Sequence, residues 1–119
     1  MFDWMTFHGL AVELATREDV AAHRSAVSRA YYAAFHAALT HAERRGASLP
    51  KVEKHAALWQ WFDPPQPIPG RTRLETRIGK NGRRLRASAS VSKQLAESMQ
   101  LAQSLLVDLD ELGGMPRPR

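Results

Sequence analysis

Apolar residues recur along this chain at intervals of three and four rather than two, the spacing of helices that bury one face. Phe2, Met5, Leu10 and Leu14 follow it loosely and predict a first helix from Phe2 to about Ala15. Thr16 followed three residues later by Asp19 resembles a capping box, with Asp in place of Glu, and would open a second helix. That helix runs to about Arg45, where Gly46 closes it. Pro50 suits the first turn of a third helix, in which Val52, His55, Trp59 and Phe62 recur every three or four residues. A fourth begins after Gly70, with Leu74, Ile78 and Leu85 as its apolar row. Gly79 and Gly82 weaken it by about 1 kcal/mol each relative to alanine. One of Ser88, Ser90 or Ser92 caps a last helix with the stripe Leu95, Met99, Ala102, Leu105, Leu106, Leu109 and Leu112. No stretch alternates as a strand does. The expected fold is all-α: an antiparallel helical bundle of four to five helices, with neighbours antiparallel where loops are short. It occupies residues 1–112 as a single domain, and "GGMPRPR" at 113–119 reads as a helix stop and a disordered tail.

The second helix divides into three faces at about 100° per residue. Val20, Val27, Tyr31, Phe35, Ala38 and Ala42 make a core stripe. Ala26, Ala30, Ala33 and Ala37 make a row of small side chains against which another helix can pack closely. Ser25, Arg29, Tyr32 and His36 make a polar row at the same spacing. Arg29 and His36 are nearly eclipsed, about 10 Å apart along the axis. The polar row serves either as an interface, with Tyr32 packing and Arg29 paired to a carboxylate, or as a site. In a site, Arg29 would bind phosphate and His36 would move protons near neutral pH.

Charge sharpens the picture more than composition does. The chain has 119 residues, 44% of them apolar, enough for one core without staples. Its formal charge is +5, but seven basic residues lie between Arg71 and Arg86 against one acid, Glu75. The basicity is therefore local, which points to a partner. Arg73, Arg77, Lys80 and Arg84 form a row opposite Leu74, Ile78 and Leu85, spaced to track the phosphates of a nucleic acid. The competing role is a solvated face, or one that meets Asp108, Asp110 and Glu111. No apolar run is long enough to cross a bilayer, so no membrane role is expected. Asp3 stands where a signal peptide carries positive charge, and a cytoplasmic location is expected. Cysteine is absent, which removes thiol nucleophiles and Cys-ligated zinc.

The stretch "AVSRAYYAAFHAAL", with "LAVELA" before it, resembles the leading helices of HEPN-domain proteins, whose small bacterial members carry an "SRAYYAxFHAA"-type signature. "HAALWQWF" and "IGKNGRRLRASASV" are similar to later segments of that family, so the resemblance covers most of the chain. It implies a helical bundle that dimerises and acts on or binds RNA, as a metal-independent endoribonuclease of a bacterial toxin–antitoxin or phage-defence module. It also implies possible protein partners: an antitoxin or a nucleotidyltransferase. The alternative is a non-catalytic helical module or antitoxin that docks a protein. The family's ribonuclease signature is an arginine followed after four to six residues by histidine. Arg86 matches the arginine, but Ala87 to Lys93 contain no histidine. Literal Arg–His spacings occur instead at Arg29–His36 and Arg17–His23.

The candidate catalytic residues are accordingly Arg29, Tyr32, His36 and Arg86. His36 would be the general acid or base, Arg29 or Arg86 the electrostatic clamp, and Tyr32 the orienting group. A dimer would bring two histidines together. Trp59, Trp61 and Phe62 are either core residues or a stacking platform for bases, with Trp61 off the stripe of the other two. The histidines lack carboxylates at ligand spacing, and no glycine-rich phosphate loop follows a strand, so neither a metal nor another cofactor is expected.

Overall fold

The computed structural model describes residues 4–16, 20–89 and 95–113. They form five helices: α1 (Trp4–Ala15), α2 (Val20–Arg44), α3 (Lys54–Phe62), α4 (Arg73–Ala89) and α5 (Leu95–Glu111). There is no strand among the described residues, and the fold is the all-α bundle that the periodicity predicts. No helix among them is long and apolar enough to cross a membrane. The tail at 114–119, Asp19, Arg17, Ser90, Ser92 and the side chains of Phe2, Met5, Leu14, Val20 and Leu95 lie outside the described residues.

α2 is the central element and touches all four others. Its alanine row is fully buried at Ala26, Ala30, Ala33 and Ala37, and its core stripe is buried at Val27, Phe35, Ala38 and Ala42. Small side chains on two faces let one helix accept neighbours on several sides. Gly46 ends it at φ 89°, with Gly46 N–H donating to Glu43 O and Ala47 N–H to Ala42 O, which satisfies two terminal carbonyls. Thr16 closes α1: its hydroxyl donates to Glu13 O at 2.6 Å, and its expected capping partner Asp19 lies outside the described residues.

α4 pairs Arg77 with Asp108 and Arg84 with Glu97, so it runs antiparallel to α5. It is antiparallel to α3 as well, since Gly82 meets Trp59 and Gly79 meets Asp63. α2 and α3 run in the same direction, because Tyr31 meets His55 and His41 meets Phe62. The glycines explain the fit of α3 on α4. A Cβ on Gly82 would fall inside the Trp59 indole, and one on Gly79 would lie 2.6 Å from Asp63 Cβ. Trp59, Phe62, Leu58, Ile78, Leu85, Leu105, Leu106 and Leu109 are sealed between these helices. Each contributes about 1.5–3 kcal/mol by leaving water.

One expected start shifts, and one of three cap candidates drops out. α3 begins at Lys54, not near Pro50, because Glu53 takes a left-handed φ of 55° and its carbonyl accepts the first helical hydrogen bond, from Ala57 N–H. Val52 therefore lies outside the helix and is 76% exposed. Ser88 does not cap α5. It is buried in the last turn of α4, where its hydroxyl donates to Leu85 O and lies 2.8 Å from Ser98 Oγ.

α4 starts with a full capping box: Thr72 N–H donates to Glu75 Oε1 at 3.0 Å, and Glu75 N–H donates to Thr72 Oγ1 at 3.1 Å. Glu75 is buried and also binds His41 Nε2 at 2.9 Å and Arg45 Nε at 3.4 Å. Burial pushes this carboxyl up, but the Thr72 N–H, His41 and Arg45 outweigh it and hold it below its usual range. One carboxylate thus caps α4 and ties it to α2.

Candidate functional site

The polar row of α2 lies on one face, as its spacing predicts. Arg29 is exposed, Tyr32 is half exposed and His36 is half buried. The Tyr32 and His36 rings are 4.1 Å apart at their centres. Arg29 makes no ion pair with any described residue.

One residue along, Tyr31 has a function that the core-stripe assignment hid. Its ring packs on the core, while its hydroxyl reaches α3. Trp59 Nε1–H donates to Tyr31 Oη at 3.2 Å, and Tyr31 Oη lies 2.8 Å from His55 Nδ1. With the oxygen accepting from Trp59, the tyrosine proton can donate to Nδ1 in the His55 tautomer that leaves Nδ1 as acceptor. Neutral His55 then carries its own proton on Nε2, as a donor. The His55 ring also stacks on Phe35 at 3.9 Å, and Phe35 meets His36 edge-on at 5.1 Å. A single phenyl ring therefore carries both imidazoles, one from α2 and one from α3.

Arg86 completes the group from the last turn of α4. Burial pushes the Tyr31 hydroxyl up, with the Trp59 hydrogen bond and the Arg86 charge pulling the other way. Burial lowers the His55 pKa and Arg86 lowers it further, so the imidazole is neutral at pH 7. His36 is lowered by burial, by His55 and by Lys54. Beside this cluster an open cavity of about 510 Å³ is lined by Ala56, Trp59, Gln60, Arg83, Arg86 and Ala87. Its two arginines differ. Arg83 donates to the Asp63 carboxylate at 2.6 Å and to Asp63 O at 2.7 Å, whereas Arg86 has no carboxylate partner among the described residues. The cavity therefore holds one anchored cation and one cation without a described carboxylate partner, which is equipment for holding an oxyanion.

The predicted basic row divides. Arg77 is bidentate on Asp108, with Nε–Oδ2 at 2.9 Å and Nη2–Oδ1 at 2.7 Å. Arg84 faces Glu97 at 3.6 Å. Arg73 and Lys80 are exposed and make no ion pair with any described residue. Of the aromatic trio, Trp59 and Phe62 are fully buried, so neither offers a face to a base. Trp61 is half buried, with the Arg71 guanidinium 3.6 Å above its ring.

His55 and Tyr31 are the site residues that sequence reasoning missed. Their signal was present: His55 and Trp59 are four residues apart on α3, and both turn towards α2. No family model, curated protein or solved structure matches the chain.

Proposed function

We propose that the chain is a HEPN-type protein of a bacterial toxin–antitoxin or defence module that binds RNA phosphodiesters at the Arg86–His55 cavity. The observation that carries this reading is Arg86. It is an arginine that lines the cavity, without a described carboxylate, and its charge acts on the His55 imidazole, whose Nδ1 meets the Tyr31 hydroxyl that Trp59 also binds. A phosphoryl oxygen accepts from both groups and supplies the missing counter-charge. The HEPN-like "SRAYYAAFH" of α2 provides Tyr31, Phe35 and His36 to the same cluster.

Metal-independent cleavage follows if the bound phosphodiester presents its 2′-hydroxyl to His36. Neutral His36 takes the hydroxyl proton, and the oxygen attacks phosphorus. The P–O5′ bond breaks, the 5′-oxygen takes a proton from water, and a 2′,3′-cyclic phosphate remains. His55 N–H and Arg86 hold the charge on the phosphoryl oxygens. With His55 supplying the second histidine, both come from one chain.

Incubating RNA with the protein in chelator tests this. Wild type should leave cyclic-phosphate ends, and Arg86→Ala should lower the rate by about 10² or more. Bound but intact RNA would restrict the protein to binding. Absence of both binding and cleavage would overturn the reading. A protein-docking role is the second reading, favoured by the half-exposed Tyr32 on the open row of α2.

A further inference from the structure

A second basic depression lies at the other end of α4. It measures about 410 Å³ and is lined by Arg71, Arg73, Thr76, Arg77 and Lys80. Arg77 is neutralised by Asp108, but Arg71, Arg73 and Lys80 have no carboxylate partner among the described residues. Arg71 is already ordered. Its guanidinium lies on Trp61 and its Nε donates to Trp61 O at 2.8 Å, which leaves the terminal nitrogens to meet a ligand. Glu75, the sole acid from 71 to 86, is buried beneath them against His41. The exposed face of α4 therefore presents cations alone.

The linings of this depression and of the Arg86 cavity share one face of the helix, with Arg73 and Arg86 on its two flanks. Thr76 and Lys80 line the first, Arg83 and Ala87 line the second, and the four recur at i, i+4, i+7 and i+11. Arg83 lies between the two, already satisfied by Asp63. From Arg73 to Arg86 the helix advances about 20 Å. A stacked strand advances about 3.4 Å per phosphate, so the gap takes about six nucleotides.

We propose that Arg71, Arg73 and Lys80 form a second phosphate subsite, and that one RNA strand lies along α4 from this subsite to the Arg86 cavity. The proposal rests on the RNA reading of Arg86 and adds a substrate class to it: single strands long enough to span both depressions. A duplex of equal length places its second strand away from these cations and gains little. The row differs from the one that helical spacing suggested, because Arg77 and Arg84 turn to α5.

Fluorescence anisotropy with labelled 2′-O-methyl oligouridylates, which cannot be cleaved by 2′-hydroxyl attack, tests it on the full chain. A ten-nucleotide strand should bind wild type more tightly than a three-nucleotide strand. Arg73→Ala with Lys80→Ala should weaken the longer strand and leave the shorter one unchanged. The salt dependence, as log K against log salt, should flatten by about 0.7 for each contact removed. Both side chains are exposed and outside any ion pair, so the fold should persist; circular dichroism checks it. If Arg86→Ala weakens both strands while the double variant weakens neither, the subsite is wrong and the Arg86 site stands. If wild type binds neither strand, the RNA reading fails and the subsite with it.

Discussion

Alanine at position 82 would place its methyl inside the Trp59 indole, on a helix that would otherwise gain about 1 kcal/mol from losing a glycine. The collision is with a buried ring held by the Tyr31 hydroxyl, so the indole can shift only by giving up that hydrogen bond. Overpacking of this kind costs about 1–3 kcal/mol, and it wins. Gly82→Ala is expected to lower the urea midpoint, whereas a rise would show that α3 and α4 are less closely apposed. His8 presents the opposite case. It is 2% exposed in α1, and neither ring nitrogen makes a well-formed hydrogen bond among the described residues, the nearby Gln103 side chain included. Burial lowers its pKa, with Gln103 acting against the shift. His8→Leu fills similar space without the unsatisfied nitrogens and should stabilise by about 1 kcal/mol. In the wild type the unfolded chain takes up the His8 proton first as pH falls below 6.5, so stability declines there. His8→Leu should reduce that decline in urea melts run between pH 7 and 5. An unchanged decline would exclude His8 as its source.

Between elements, polar braces set how the helices meet. Glu75 joins the start of α4 to His41 and Arg45 at the end of α2, and Arg77–Asp108 joins α4 to α5. Glu75→Gln keeps the size of the side chain but leaves a buried imidazole without its carboxylate, at a cost of about 3 kcal/mol. Because the folded carboxyl is held below its usual range, its contribution is present above pH 4.5 and lost as pH falls further. Wild type should therefore lose stability on acidification below pH 4.5 more steeply than Glu75→Gln does, as measured by thermal melts. Equal slopes would mean that Glu75 is not ionised against His41. Part of this was legible. The Thr72–Glu75 spacing fits a capping box, but the apolar periodicity that placed α4 passed over it. His41 was not legible, since helical period assigns a residue to a face and is silent about which element covers that face. The same limit left Arg77 and Arg84 in one row with Arg73 and Lys80. The helix count, the α2 alanine row and the Gly46 stop were readable because each depends on local spacing or on a backbone conformation. The α3 start was misplaced because a left-handed Glu53 carries no such signal.

At the scale of the whole molecule, the cluster at the cavity draws on three helices distant in sequence. Tyr31 and His36 come from α2, His55 and Trp59 from α3, and Arg86 from α4. Helical spacing could name His36, which lies on a polar face, and the family resemblance could name Arg86. Spacing could not name His55, whose value arises only when Tyr31 and Arg86 are folded against it. Reaction in one chain would also show in the pH profile. His36 acts as a neutral base with a lowered pKa, so the acid limb of RNA cleavage should lie below pH 6.5 and the rate should be level at neutral pH. The most direct single measurement is an NMR titration of the His55 imidazole, assigned with His55→Ala, in the presence and absence of uncleavable single-stranded RNA. The free protein should show His55 titrating below 6.5, and bound RNA should raise that pKa as phosphate offsets the charge of Arg86. RNA that leaves the His55 titration unmoved would contradict a phosphate site at Arg86 and His55.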